Sequence, residues 1–119
     1  MRHMGDPTTR ILIVDDAEVT RNVLTKSCGE IGYPDVIQAA DGALAWTALE
    51  TSTVPVRVII CDWNMPNVNG LEFLKKVRAD ARFKELPFLM ITAEAEKDQV
   101  VTAVQCGIDA YLVKPFDAT

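Results

Sequence analysis

Ile11-Leu12-Ile13-Val14-Asp15-Asp16 places four consecutive apolar residues ahead of two carboxylates, and a helical pattern follows from about Ala17 to Ile31. An apolar run without polar alternation is a strand buried on both faces, and such strands belong to parallel sheets covered by helices on each side. The same order recurs along the chain. Further apolar runs lie at Val36 to Ala39, Val58 to Cys61, Phe88 to Ile91 and Tyr111 to Val113. Between them, apolar residues recur three or four apart over about Gly42 to Glu50, Leu71 to Arg78 and Glu96 to Cys106. Strand and helix in alternation predict an α/β fold of βαβ units with short connections and right-handed crossovers.

The helical patterns also predict which faces pack inward. The first presents Val19, Val23, Leu24, Cys28 and Ile31; the second Leu44, Trp46 and Leu49; the third Leu71, Phe73, Leu74 and Val77; the fourth Val100, Val101 and Val104. Asp16 is placed to cap the first helix, Gly32 to stop it, and Gly107 to close the fourth.

The 119 residues are 49% hydrophobic and 24% charged, which predicts one compact globular domain. No apolar run approaches the roughly 18 residues of a membrane span, so membrane insertion is not expected. With 17 acidic against 12 basic residues and a net charge of -5, the chain is a poor candidate for neutralising nucleic-acid phosphates. Cys28, Cys61 and Cys106 are odd in number and lack metal-ligand spacing, which points to a reducing, cytoplasmic setting. Residues 1–9 have no signal-peptide apolar stretch and are expected to be disordered. His3, the single histidine, falls there, which argues against a His-based nucleophilic triad or a His-rich zinc site.

Ligands of an open parallel sheet bind beyond the carboxyl ends of its strands. The residues directly after the apolar runs are Asp15 and Asp16, Asp62, Thr92 and Lys114. Three carboxylates in one crevice repel one another and call for a cation. Oxygen-only ligands favour Mg²⁺. Lys114 and Thr92 add a positive charge and a hydroxyl, a set suited to the equatorial oxygens of a phosphoryl group. Singly, each residue has a plain reading: a helix cap for Asp15-Asp16, a turn for the stretch from Asp62 through Asn64 to Asn69-Gly70, a strand-end hydroxyl for Thr92, a solvated charge for Lys114. Their joint occurrence at four strand ends favours a site.

Four segments carry a family resemblance: Ile-Val-Asp-Asp at 13–16, Asp-Trp-Asn-Met-Pro-Asn-Val-Asn-Gly at 62–70, Thr-Ala-Glu-Ala at 92–95 and Tyr-Leu-Val-Lys-Pro-Phe at 111–116. Over nearly all of Arg10 to Phe116 the sequence resembles the receiver domains of two-component response regulators. Around Asp62 and Thr92 it is most similar to the single-domain chemotaxis regulators among them. The resemblance implies a flavodoxin-like, doubly wound five-stranded parallel sheet of order 2-1-3-4-5. It implies a signalling domain, not an enzyme acting on a separate substrate, that catalyses its own phosphorylation and dephosphorylation. Asp62 would accept the phosphoryl group from a histidine kinase or a small phosphodonor. Asp16, Asp62 and the Asn64 carbonyl would bind Mg²⁺, with Asp15 helping through water. Lys114 and Thr92 would hold phosphoryl oxygens, and small Ala93 would leave the approach open. Thr92 and Tyr111 would form the conformational switch, whereas without the resemblance Tyr111 reads as an edge-strand aromatic packed on the core. Asn64 and Glu94 would tune dephosphorylation toward fast decay, and a downstream effector would bind the fourth helix and fifth strand.

Other readings are weighed against the same residues. Haloacid-dehalogenase-like phosphatases also use a strand-end aspartate, Mg²⁺, a Thr or Ser and a Lys, but place a second Asp where this chain has Asn64. A receiver-shaped interaction module that never turns over phosphate is opposed by the intact acidic, threonine and lysine positions. A flavin-binding protein is opposed by the acidic Asp15-Asp16-Ala17-Glu18 turn, which has no glycine or hydroxyl run for a phosphate. The sequence departs from the family in ending at Thr119, where a fifth helix would begin, so residues 10–119 read as a receiver domain lacking that helix. The apolar face so uncovered predicts self-association.

Overall fold

A computed structural model describes residues 7–63, 65, 69–92 and 97–113, with the backbone alone for Thr92, residues 97–99 and Val113. Residues 1–6, most of the segment expected to be disordered, lie outside the described residues, as does 114–119, where the question of a fifth helix falls. Pro7 and Thr8 form a turn ahead of the first strand.

The elements run β1 (Arg10–Val14), α1 (Glu18–Glu30), β2 (Val36–Ala39), α2 (Gly42–Thr51), β3 (Val56–Asp62), α3 (Gly70–Ala79), β4 (Phe88–Thr92), α4 (Lys97–Gln105) and β5 (Ala110–Val113). All strand pairs are parallel, and the order is β2-β1-β3-β4-β5, the doubly wound arrangement. The chain steps outward from β1 to β2, then crosses back to place β3 on the other side of β1. A crevice therefore opens between the carboxyl ends of β1 and β3.

The apolar runs are buried on both faces, as continuous hydrophobicity requires. Leu12, Val14, Ile59 and Cys61 join Ala45, Leu49, Phe73, Leu74 and Val77 in the cluster under α2 and α3. Ile11, Ile13, Ile60 and Ile91 meet Leu24 and Cys28 of α1 in the other. Phe73 and Phe88 are fully buried, with ring centroids 5.8 Å apart, and each such side chain contributes about 1.5–3 kcal/mol by leaving water.

Three predicted helix faces need correction. On α1 only Leu24 and Cys28 are buried, while Val19, Val23 and Ile31 are exposed. Leu24 and Cys28 are one turn apart on the stripe above β1, and Val19 and Val23 form the neighbouring stripe, rotated off the sheet. On α4 it is Ala103 that is buried, while Val101 and Val104 are exposed, because the small side chain brings that face of the helix nearest the sheet. Leu44 of α2 also faces outward, and Ala45 takes the inward position.

The helix ends are set by side chains that sequence reading assigned only in part. Gly32 and Gly107 have φ of 100° and 98° and terminate α1 and α4 as expected, since only glycine enters that region without strain. Asp16 does not cap α1. The N-cap residue is Ala17, without a side-chain hydrogen bond, and the Ala17 N–H instead donates to Asp15 Oδ1 at 2.8 Å. Asp41 caps α2 by accepting from the Leu44 N–H at 2.8 Å, and Asn69 caps α3 by accepting from the Glu72 N–H at 2.9 Å.

Gly70 is the first residue of α3, and its N–H donates to the Trp63 carbonyl at 2.9 Å. A methyl group there would lie 2.2 Å from the Asp62 carbonyl oxygen and 2.9 Å from Trp63 Cα. Replacing a helical glycine by alanine ordinarily stabilises by up to about 1 kcal/mol. Here Gly70→Ala is expected to destabilise instead, by about 1–3 kcal/mol from backbone overpacking. A urea midpoint at or above that of the parent chain would show that the start of α3 shifts away at no cost.

Candidate functional site

The sheet register brings the acidic residues together. Val14 of β1 is paired with Cys61 of β3, so Asp15 and Asp62 are the next residues out on adjacent strands. Asp62 is in turn the register partner of Ile91, and Thr92 of Val113, so β4 ends one residue beyond Asp62 and β5 ends just before Lys114. Four strand ends reach one edge of the sheet because parallel strands all point the same way.

Asp15, Asp16 and Asp62 form the cluster this produces, with one carboxylate oxygen from each lying within 4.8 Å of the others. Asp15 is fully buried, Asp62 is 5% exposed, and Asp16 faces solvent. Buried carboxylates at this spacing are costly unless a positive charge balances them. Hard oxygen donors from three side chains, with one face open to water, suit a small divalent cation that keeps part of its hydration shell, and the set therefore fits Mg²⁺.

The neighbouring backbone is firmly held. The Asp15 N–H donates to the Ala39 carbonyl at 3.1 Å, and the Asp15 carbonyl accepts from Arg21 Nη1 at 2.8 Å. Beyond Asp62, the Trp63 N–H donates to the Ile91 carbonyl at 2.9 Å, extending the ladder past the end of β3. Cys61 Sγ–H donates to the Asp62 carbonyl at 3.2 Å. Burial first, and then the charges of Asp62 and Asp15, push the Cys61 thiol well above its ordinary value, so it stays protonated and plays the part of a small apolar residue.

Of the other expected site residues, Thr92 ends β4 as anticipated, and its side chain lies outside the described atoms. Asn64, Ala93, Glu94 and Lys114 lie outside the described residues. Tyr111 is half-buried on the edge strand β5 and packs against the cluster under α2 and α3. Two contributors escaped sequence reading. Gly70 reads there as the end of a loop, and its close approach to Asp62 has no local signature. Arg21 carries no local signal at all, and only the fold shows that it reaches the acidic turn.

Comparison with known proteins agrees with this geometry. Residues 11–119 match the response regulator receiver domain family. The chain is 45% identical over 107 residues to the chemotaxis protein CheY1 of Helicobacter pylori, covering 90% of this chain and 86% of that protein. It is 41% identical over 109 residues to the chemotaxis protein CheY of Pseudomonas aeruginosa, covering 92% and 86%. Among solved structures, chemotaxis protein CheY4 of Vibrio cholerae superimposes with a TM-score of 0.84 at 34% identity, covering 92% of this chain and 89% of that one. With its parallel sheet, its acidic crevice and its sequence all in accord, the chain belongs to the response regulator receiver domains, signalling domains of two-component systems.

Proposed function

We propose that Asp62 is the phosphoacceptor and that the chain relays a signal from a histidine kinase to an effector protein, in a cytoplasmic chemotaxis pathway. The observation that carries this reading is the convergence of Asp15, Asp16 and Asp62 at the β1–β3 switch point, with Asp62 at the end of β3, the central strand of the sheet. The relatives named as chemotaxis proteins, at 41–45% identity, support the pathway.

The chemistry follows from the residues. An aspartate is ionised at neutral pH and needs no base to become a nucleophile. A carboxylate oxygen of Asp62 bonds to phosphorus while the bond from phosphorus to the donor breaks, either to the imidazole nitrogen of a phosphohistidine or to the acyl oxygen of a small donor. The leaving group departs with the electron pair of that bond, and the imidazole takes up a proton. Asp16, Asp62 and the Asn64 carbonyl would hold Mg²⁺, with Asp15 helping through water, and the ion would supply positive charge to offset the repulsion between nucleophile and phosphoryl oxygens. Lys114 and Thr92 hold the remaining oxygens, and Ala93 leaves room for the donor.

Movement of the Thr92 hydroxyl toward the bound phosphoryl group makes space for Tyr111 to turn inward, biasing an existing two-state equilibrium. The effector meets α4 and β5. Support for that surface comes from the large apolar side chains exposed there, Val101 and Val104 on α4 and Leu112 on β5. Asn64 and Glu94 tune the lifetime of the phosphoryl group toward rapid hydrolysis.

Incubation with acetyl phosphate is expected to add one phosphoryl mass in MgCl₂, none in EDTA, and none to Asp62→Asn under either condition. An adduct that persists in Asp62→Asn would overturn the assignment. The aspartyl phosphate is expected to decay quickly for a receiver, and exchanges at Asn64 and Glu94 should change its lifetime. A lifetime of hours in Mg²⁺ that neither exchange alters would remove both residues from that role. Asp16→Asn relieves like-charge crowding and is expected to stabilise the Mg²⁺-free chain by about 1 kcal/mol, the interaction of unit charges near 4 Å in water. Thermal melts with and without MgCl₂ check this, since the rise in Tm on adding MgCl₂ to the parent chain should shrink in the variant.

A further inference from the structure

Arg21 lies near the start of α1 with its guanidinium half-buried against the turn that leaves β1. Nη1 donates to the Asp15 carbonyl at 2.8 Å and Nε donates to Gln38 Oε1, on β2, at 3.0 Å. The Gln38 amide nitrogen donates back to α1, to Thr25 Oγ1 at 2.8 Å and Asn22 Oδ1 at 3.4 Å. Thr25 Oγ1 in turn donates to the Arg21 carbonyl at 2.8 Å. The guanidinium is thus held by a closed ring of hydrogen bonds between α1 and β2, with Nη1 on one peptide group.

That peptide joins Asp15 to Asp16. Because a peptide is planar, fixing the Asp15 carbonyl fixes the plane from which the Asp16 backbone continues. Two further ties of this turn act on its flanks: the Asp15 N–H to Ala39, and Asp15 Oδ1 to the Ala17 N–H. α1 has no side-chain cap at Ala17 to anchor the turn from the helix side. The exposed carboxylate, Asp16, therefore takes its starting direction from the bond that Arg21 makes.

We propose that Arg21 is a positioning residue for divalent cation binding, holding the Asp15–Asp16 peptide so that Asp16 meets Asp62, and that Gln38 orients the Arg21 guanidinium for this task. The proposal rests on the reading of the acidic cluster as a cation site. Charge and position give opposite signs here. By charge alone, removing a cation beside three carboxylates would tighten binding of a divalent metal; by position, it weakens it.

The test is titration of the ¹⁵N-labelled chain with MgCl₂ alone, following the backbone amides of Asp16, Ala17 and Trp63. Arg21→Met is expected to raise the half-saturating concentration by about tenfold, the lower end of what supporting partners of metal ligands contribute. Arg21→Lys and Gln38→Leu, which both leave the net charge unaltered, should each raise it as well, by a smaller factor than Arg21→Met. Amide exchange at Ala17 should accelerate in all three variants. With acetyl phosphate as donor, the MgCl₂ requirement should rise by a larger factor than the maximal rate falls, whereas general damage to the fold would lower the maximal rate first. Unchanged or tighter MgCl₂ binding by Arg21→Met overturns the proposal. Should that variant fail to fold, the solvent-exposed Gln38→Leu decides the matter, and an unchanged half-saturation there overturns it equally. Absence of MgCl₂-dependent shifts in the parent chain would overturn both this proposal and the cation-site reading; parent binding with indifferent variants overturns the positioning role alone.

Discussion

Val14 of β1 and Cys61 of β3 are neighbours in a parallel ladder, and the chemistry of the chain depends on that register. Side chains alternate along a strand, so a slip of one residue would turn every apolar side chain of β1 to the opposite face and separate Asp15 from Asp62. The two apolar clusters oppose such a slip. Leu12 and Val14 belong to the layer under α2 and α3, while Ile11 and Ile13 belong to the layer under α1. Hydrophobic burial on both faces thereby holds two buried carboxylates against their mutual repulsion, at a place where a cation can enter from the exposed Asp16 side.

The two ends of the sheet are held differently. At the carboxyl end, the turn after β1 is tied by the Asp15 N–H to Ala39, by Asp15 Oδ1 to the Ala17 N–H and by Arg21 to the Asp15 carbonyl, and the turn after β3 by Trp63, bonded to Ile91 and Gly70, and by the close contact of Gly70 with Asp62. At the opposite end, Arg78 of α3 donates to the carbonyls of Gly107, Lys84 and Leu86 and pairs with Asp109, whose carboxylate also accepts from the Phe88 N–H. One guanidinium thus joins the end of α3, the entry to β4 and the turn between α4 and β5. Charge-assisted bonds to several carbonyls make this a rigid end. Rearrangement of α4 and β5 would be concentrated away from Arg78, toward the end that carries Thr92.

How legible each part was in the sequence follows from how local its cause is. The five apolar runs were visible because strands buried on both faces leave no polar residue to interrupt them, and Gly32 and Gly107 were visible because a positive φ admits few other residues. The inward faces of α1 and α4 were misread. Periodicity groups Val19, Val23, Leu24, Cys28 and Ile31 together, yet a helix lying on a sheet buries only a narrow stripe, and which stripe is chosen depends on the angle at which it docks. The exposure of Val101 beside buried Ala103 has the same origin. The Asp15-Asp16 pair was expected to cap α1 through Asp16; the bond from Ala17 N–H to Asp15 belongs to the buried turn instead.

The sequence by itself determined the alternation of strand and helix, the ends of the strands and the identity of the residues that stand there, because those are matters of local pattern and of chemistry written in single side chains. The family resemblance carried by the segments around Asp15, Asp62, Thr92 and Lys114 was legible for the same reason. Only the tertiary structure decided how near Asp15, Asp16 and Asp62 lie to one another, that Gly70 must lack a side chain to pass the Asp62 carbonyl, and that Arg21 and Gln38 brace the acidic turn from a helix and a neighbouring strand. Each of these is a contact between segments distant along the chain, and it comes into being only when parallel pairing and the crossovers set strand against strand.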